Sequence, residues 1–334
     1  MTAHGPRPTV GTMKRVGVRP FEAGDLEEAG RLLAARHLAH RKVHPLLPER
    51  YEDPAAARAE IEKAWRSEGA SGAVAVSGDR LTGFLLGAPK PSAVWGPNLW
   101  VESAGQATED AETMRDLYGV AATRWADESR TAHYVLVPAH DLALLDAWYR
   151  LGFGQQHAHA IRAVPDQEPL PPATVTIRQA RREDIDVLAQ LEVVLPEHQG
   201  LSPVFSAGTV PDLEESKQEW EDDIDDESYG SFVAEVGGRV VGSAVGCALE
   251  KSSAHLGLAR PENAGFLGFA AVLPEARGAG AGRALGEAVG WWVTQQGFTS
   301  LVTDWRVTNL LSSRTWPRLG YETTFLRLHR VLGY

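Results

Sequence analysis

The segment Ala271-Val272-Leu273-Pro274-Glu275-Ala276-Arg277-Gly278-Ala279-Gly280-Ala281-Gly282-Arg283 carries the most specific chemistry in this sequence. An apolar strand stops at a proline, and an Arg-Gly-x-Gly-x-Gly turn opens a long helix. Small residues let successive backbone N–H groups point into one concavity, and the helix N-terminus adds its positive dipole end. Arg277 and Arg283 can add charge-assisted bonds to a phosphate. Together these features form a pyrophosphate cradle that needs no metal. The dinucleotide fingerprint fails, because the third glycine position is occupied by Arg283 or Leu285. The P-loop also fails, because Gly282-Arg283-Ala284 lacks Lys-Ser/Thr. The bland alternative is a Gly/Ala-rich loop that only closes a strand-to-helix turn.

Other groups offer weaker chemistry. Glu214–Glu227 holds nine acids opposed only by Lys217, so it is either a solvated helix face or an attractor for a cation. His37, His40 and His44 have a suggestive spacing, but Pro45 ends the helix and no carboxylate joins them, which argues against a metal. Cys247 is the lone cysteine, which excludes an internal disulfide and a multi-cysteine metal site. The tryptophans read mainly as core or pocket wall, with Trp305 set apart by its place next to Asp304.

Apolar periodicity supplies the elements that must position these groups. The second half reads as strand Val175–Gln179, a helix from Asp184 to about Leu195, and an acidic helix Leu213–Ile224. A hairpin Ser231–Val236 and Val240–Leu249 follows, turning at Gly237-Gly238, then strand Phe266–Leu273 and helix Arg283–Gln296. Strand Leu301–Thr303, helix Leu310–Leu319 and strand Thr323–Leu332 complete it. The first half has the same order: strand Val16–Arg19, helices Leu26–His37 and Ala55–Trp65, hairpin Gly72–Val76 and Leu81–Gly87, strand Leu99–Ser103. Helix Met114–Trp125, strand Tyr134–Val137, helix Leu142–Leu151 and strand Gln155–Ala163 follow.

The sequence also repeats itself. Val18-Arg19-Pro20 through Asp25-Leu26 matches Ile177-Arg178-Gln179 through Asp184-Ile185, 159 residues on. Trp148-Tyr149-Arg150-Leu151-Gly152-Phe153 matches Trp316-Pro317-Arg318-Leu319-Gly320-Tyr321, 168 residues on. Two copies of one domain are therefore expected in the 334 residues, at 15–163 and 174–334, joined by a proline-rich linker at 164–173 and preceded by a flexible stretch at 1–14. The charge balance is −11, from 33 Lys+Arg and 44 Asp+Glu, which disfavours a nucleic-acid partner. No apolar run is long enough for a membrane helix and no signal-like start is visible, so a cytoplasmic protein without membrane association is expected.

The glycine turn closely resembles the acetyl-CoA signature of the GCN5-related N-acetyltransferases, Arg/Gln-x-x-Gly-x-Gly/Ala, as Arg277-x-x-Gly280-x-Gly282. The resemblance extends to Asn309 and the Trp316…Tyr321 ending, and it covers nearly all of 174–334. It implies an α/β (α+β) chain of two tandem domains, each a mixed, mostly antiparallel sheet flanked by helices, in a layout similar to the mycothiol synthases. The first half's counterpart of the turn, Ala104–Thr113, has one glycine and three acids, so that half is expected to be degenerate.

The resemblance further implies acetyl-CoA as cosubstrate and direct attack by an amine. Its pyrophosphate would sit on Arg277, Gly278, Ala279, Gly280, Ala281, Gly282 and Arg283, and its arm on Ala271, Val272, Leu273, Asn309 and Trp316. Trp316 stands where the family has a tyrosine acid, and Gly265–Val272 lacks the family's glutamate. Asp304 is the first choice of base, ahead of Glu262 and His255, although it also reads as an ordinary strand-end carboxylate. Glu221, Asp222, Asp223 and Trp305 are expected to meet a small cationic amine such as a polyamine or amino-sugar. No metal is expected, and the chain is expected to be a monomer or homodimer. The alternative is an acyl-CoA-binding or regulatory protein without transfer.

Overall fold

The computed structural model describes residues 17–91, 93–206 and 208–333. The stretch expected to be flexible, 1–14, lies outside them. The first half comprises β1 (Gly17–Pro20), α1 (Leu26–Val43), α2 (Pro54–Trp65), β2 (Ser71–Ser77), β3 (Arg80–Gly87), β4 (Asn98–Val101) and β5 (Gln106–Thr108). It continues with α3 (Thr113–Asp127), β6 (Ala132–Pro138), α4 (Leu142–Arg150) and β7 (Gly154–Ala163). The second half comprises β8 (Thr176–Gln179), α5 (Ile185–Gly200), α6 (Leu213–Asp223), β9 (Tyr229–Val236), β10 (Arg239–Ala248) and β11 (Ala264–Val272). It ends with α7 (Ala281–Gln295), β12 (Ser300–Arg306), α8 (Leu310–Thr315) and β13 (Glu322–Val331).

The repeat is visible atom by atom. Arg19 Nη1 and Nη2 clasp the Asp25 carboxylate at 2.9 and 2.6 Å. Arg178 clasps Asp184 the same way at 2.6 and 2.8 Å. Each aspartate also accepts a backbone N–H three residues upstream, from Glu22 and Arg181, at 2.8 Å. The bidentate pair fixes the corner from the first strand into the first helix in both halves.

The halves are not side by side but interlocked. One sheet runs β1-β2-β3-β5, and a second runs β4-β6-β13-β7-β12-β11-β10-β9-β8. Thus β7, the last strand of the first half, lies antiparallel to β12 of the second, from Ser300↔Ala163 to Arg306↔His157. In exchange, β13 lies between β6 and β7. The only parallel pairings among the named strands are β4–β6 and β11–β12. The linker 164–173 has no regular structure and crosses α7, where Thr294 Oγ1 donates to Pro165 O at 3.1 Å.

Two expectations need correcting. The strand expected over Leu99–Ser103 is the shorter β4, Asn98–Val101, and a second short strand, β5, follows it in the other sheet. The segment Ala104–Thr113, expected to be a turn throughout, contains β5, so the turn proper is only Glu109–Glu112. Strand Leu301–Thr303 proves longer, extending to Arg306 because β7 supplies it with a partner.

The core of the second half lies under α7, where Leu285, Val289, Trp292 and Val293 pack on the sheet with Trp305 and Trp316. Close approach is built in: a Cβ on Gly265 of β11 would stand 2.5 Å from Val293 Cγ2. Another cluster joins the halves, since Leu258, Ala259 and Phe325 pack with Leu33, Ile61 and Phe84. No helix is long and apolar enough to cross a membrane among the described residues.

Candidate active site

Strands β11 and β12 pair only at Ala264–Phe266 with Ser300–Val302, and then diverge. Two local features produce the splay. The register of β11 against β10 slips by one residue at Gly268, between Val245 and Gly246, and such a bulge bends the strand away. On its other side β12 stays bonded to β7 through Arg306. Thr303 Oγ1 donates to Leu267 O at 2.9 Å and pins the point of divergence.

The glycine turn stands at the end of β11. Gly278 and Gly280 have φ of +92° and +88°, a backbone region that glycine adopts without steric cost. A Cβ on Gly280 would lie 3.1 Å from Pro172 Cγ of the linker. The amides of Gly278, Ala279 and Gly280 donate to no protein acceptor among the described residues. The first amides of α7 are unpaired by helix geometry, and its first turn has no acid. Arg277 and Arg283 flank this cradle and are exposed.

These residues line a cleft of about 330 Å³ that includes Ala271, Val272, Arg277, Gly278, Gly280, Ala281, Gly282, Arg283, Asn309 and Trp316. Ten of the expected cofactor residues are thereby brought together. Leu273 and Ala279 do not line it. The Leu273 amide is committed to the sheet, donating to Val241 O at 2.8 Å, so it is corrected out of the set that could hold an arm. Asn309 Oδ1 caps α8 by accepting from Leu311 and Ser312 at 3.2 and 3.4 Å, which leaves the –NH2 end for a ligand.

A second cleft of about 230 Å³ shares Leu195, Ala270, Asn309, Ser312 and Trp316 with the first. It holds Asp304, Trp305, Arg306 and, from the first half, His157. Asp304, the first choice of base, and Trp305, an expected acceptor contact, both line this second cleft. His157 Nδ1 stands 3.5 Å from Asp304 Oδ2. Burial pushes the Asp304 carboxyl above the ordinary carboxylate range, against the opposing pull of His255, Arg327 and Arg306. Burial holds His157 and His159 well below the ordinary histidine value, so both are neutral near pH 7.

The ligand atoms of His157, His159 and Asp304 lie within 4.8 Å of one another, a group that could also receive a cation. His157 was missed in the sequence. Its signal was present, because His157 and His159 alternate along one strand and so share a face. What the sequence did not show is that this strand completes the other half.

The acidic run does not join the site. Trp220 is buried against Ile185, Leu188, Ala189 and Val233, and this turns Glu221, Asp222 and Asp223 to solvent. None of the three lines either cleft. The metal-like spacing of His37, His40 and His44 resolves into packing: His40 stacks on His140 at 4.6 Å and meets Phe325 at 4.7 Å. A larger groove of about 670 Å³ runs between the linker and α7 beside Trp291, away from Asp304.

Residues 192–321 match the acetyltransferase (GNAT) family. The second half is a GNAT domain. Over both halves the fold is similar to a GCN5-related N-acetyltransferase from Sphaerobacter thermophilus, with a TM-score of 0.54 and 16% identity over 96% of this chain and 97% of that one. It is also similar to the GCN5-related glucosamine N-acetyltransferase region of a fungal multi-domain GH3 β-N-acetylglucosaminidase, at TM-score 0.50 and 14% identity, over 96% of this chain and 38% of that one. A tandem GNAT protein from the clavulanic acid biosynthesis pathway matches at TM-score 0.46 and 15% identity, over 96% of this chain and 99% of that one. No curated protein matches the chain. The family match lies in the second half and includes the glycine turn, and the similarity of fold runs over both halves of the repeat.

Proposed function

We propose that the chain moves an acetyl group from acetyl-CoA to a primary amine of a small molecule in the joined clefts of 174–334, while 15–163 serves as a scaffold that lends β7. The observation that carries this reading is the continuity of the unpaired-amide cradle with the pocket of Asp304 through Asn309 and Trp316. The pyrophosphate would lie on the amides of 278–283 between Arg277 and Arg283. The arm would run in the splay beside Ala271 and Val272, with the Asn309 –NH2 donating to it. Donors fixed before the reaction favour charge developing on the thioester oxygen.

The acceptor ammonium loses its proton to Asp304, directly or through neutral His157, and the amine then attacks the thioester carbonyl. A carboxyl raised by burial is a stronger base than an exposed one. Trp316 has no acidic proton to give. The departing thiolate needs little help, because an ordinary thiol titrates near 8.5, roughly where solvent can protonate it. An acyl-CoA-binding protein without transfer would need the cradle but not the Asp304–His157 pair.

Asp304→Asn is expected to lower kcat about 10²–10⁴-fold and leave acetyl-CoA affinity unchanged. The activity of the natural enzyme should fall as pH drops through the raised value of Asp304, and the variant should lose that limb. An unchanged kcat would remove Asp304 from the chemistry. Absence of thiol release with every amine tested would favour binding without transfer.

A further inference from the structure

Three strands meet at the seam of the two halves, β12, β7 and β13, and direct cross-strand partners share a face. Arg306↔His157 and His157↔Arg327 form one row across them. Asp304↔His159 and His159↔Phe325 form the next. The rows lie about 6.6–6.8 Å apart along the strands. Arg306, His157 and Asp304 line the second cleft itself, and Arg327 stands one strand beyond His157.

Neither guanidinium forms an ion pair among the described residues. The nearby acids are otherwise engaged: Asp304 faces His157 at 3.5 Å, and Lys90 holds Glu102 at 2.5 Å. Arg327 is held in place without a carboxylate. Its Nε donates to Gln156 Oε1 at 2.7 Å, and its guanidinium lies 5.2 and 5.4 Å from the ring centres of Trp95 and Trp100. Burial lowers both arginines, Arg327 to about 10, and Arg306 adds to the shift of Arg327.

Two partly buried cations beside each other, which Asp304 attracts without an ion pair to either, are left short of anionic partners that a ligand could supply. Around them His157 Nδ1, both nitrogens of His159 and Nε2 of His255 are buried without a partner. Neutral imidazoles can donate to an anion through their N–H without adding charge.

We propose that the acceptor amine also carries an anionic group, a carboxylate or a phosphate, held by Arg306 and Arg327 while the amine faces Asp304. This rests on the acetyl-transfer reading of the same cleft. The distance between the rows suits a molecule whose amine and anion are a few bonds apart. A polyamine or amino-sugar would instead set further positive charge against the two guanidinium groups. The cationic class expected from the acidic run is replaced by a zwitterionic one.

The test uses the full chain with acetyl-CoA and matched amines: glycine and β-alanine against methylamine and ethylamine, phosphoethanolamine against ethanolamine, with putrescine as the polycation. Thiol release is expected only with anion-bearing members, and the preferred pair distinguishes carboxylate from phosphate. Arg306→Met and Arg327→Met should each raise KM roughly tenfold to a hundredfold, with partial recovery in the lysine variants and unchanged acetyl-CoA affinity. Equal turnover of the uncharged partners or of putrescine overturns the proposal while leaving acetyl transfer standing. If no amine releases thiol, calorimetry with the same anion-bearing probes decides. Binding lost in both methionine variants supports the anion site and sinks acetyl transfer alone. No binding to the natural chain, or binding unchanged in the variants, overturns the proposal.

Discussion

The two halves use one frame, yet they treat the gap after the third strand of that frame in opposite ways. In the second half, β11 runs unbroken into an eight-residue glycine turn, and its splay from β12 stays open. In the first half, the equivalent strand is broken into β4 and β5, and the turn before α3 is four residues long. Gln106 of β5 closes the gap. It is fully buried, donates to Leu136 O at 2.8 Å, and accepts from Trp148 Nε1 at 3.0 Å. Trp148 fills that core, whereas its counterpart Trp316 borders both clefts.

The turns differ in chemistry as well. Amides 278–280 of the second half have no protein acceptor. In the first half, Glu109 pairs with Arg80 at 2.8 Å and Glu112 pairs with Arg150 at 2.6 Å. The turn amides are bonded too, Asp110 N to Thr108 Oγ1 at 3.4 Å and Glu112 N to Asp110 Oδ1 at 3.1 Å. The second-half turn thus leaves backbone donors unspent, whereas in the first half Gln106 and Trp148 fill the corresponding gap.

The most severe way to break this comparison is to separate the halves. Residues 1–163 and 174–334 expressed apart lose each other's strands, which leaves one bare edge on β6 and on β12 and no neighbour for β7 or β13. Bare apolar edges aggregate, so each alone should be insoluble and co-expression should restore one soluble complex. A soluble, acetyl-CoA-binding second half on its own would show that the exchange is dispensable.

A smaller effect is the pH dependence of stability, to which buried His255 and half-buried His329 of the second half also contribute. Burial pushes His40 to about 2 and His37 to about 4. The unfolded chain binds protons on these groups near 6.5, so their contribution is complete above that pH and is lost as pH falls towards the folded values. Each should cost about 2 kcal/mol between pH 6.5 and 5, read by urea unfolding, and His40→Phe should flatten the slope. In the second half, the hydrogen bonds from Arg178 hold Asp184 below its usual range. That stability is present above the ordinary carboxyl value and is lost only below it. A pH 6.5–5 profile unchanged by His40→Phe would remove the first-half histidines as its cause.

The smallest effect concerns α6. Glu221→Gln, Asp222→Asn and Asp223→Asn together should change KM for the acceptor by less than about twofold, since none touches a cleft. A large rise in KM would restore the acidic helix to the acceptor site.

Local features of this site were legible in the sequence, and the pairing between halves was not. The glycine turn needs only positive φ and small side chains, so Gly278 and Gly280 announce it. The Arg178–Asp184 corner and its copy are six residues apart in each half, so matching motifs predict matching contacts. Asp304 reads as the end of a short strand, but it lies inside β12, which runs on to Arg306 because β7 pairs with it. The exchange of β7 and β13 leaves no such mark, because alternation along a strand says which face is buried and not which neighbour it meets. His157 was therefore read as part of a strand of the first half. The acidic run misled for a related reason: charge density is visible in sequence, but the direction of α6 is set by Trp220.

On the proposed reading, one half holds acetyl-CoA and the other has closed its copy of the site. Calorimetric titration of acetyl-CoA into the full chain tests it most directly. One equivalent is expected to bind per chain. Gly280→Val should weaken it at least about tenfold, because a branched residue at φ +88° beside Pro172 must strain the turn. Two equivalents per chain, or one equivalent whose affinity survives Gly280→Val, would contradict the account.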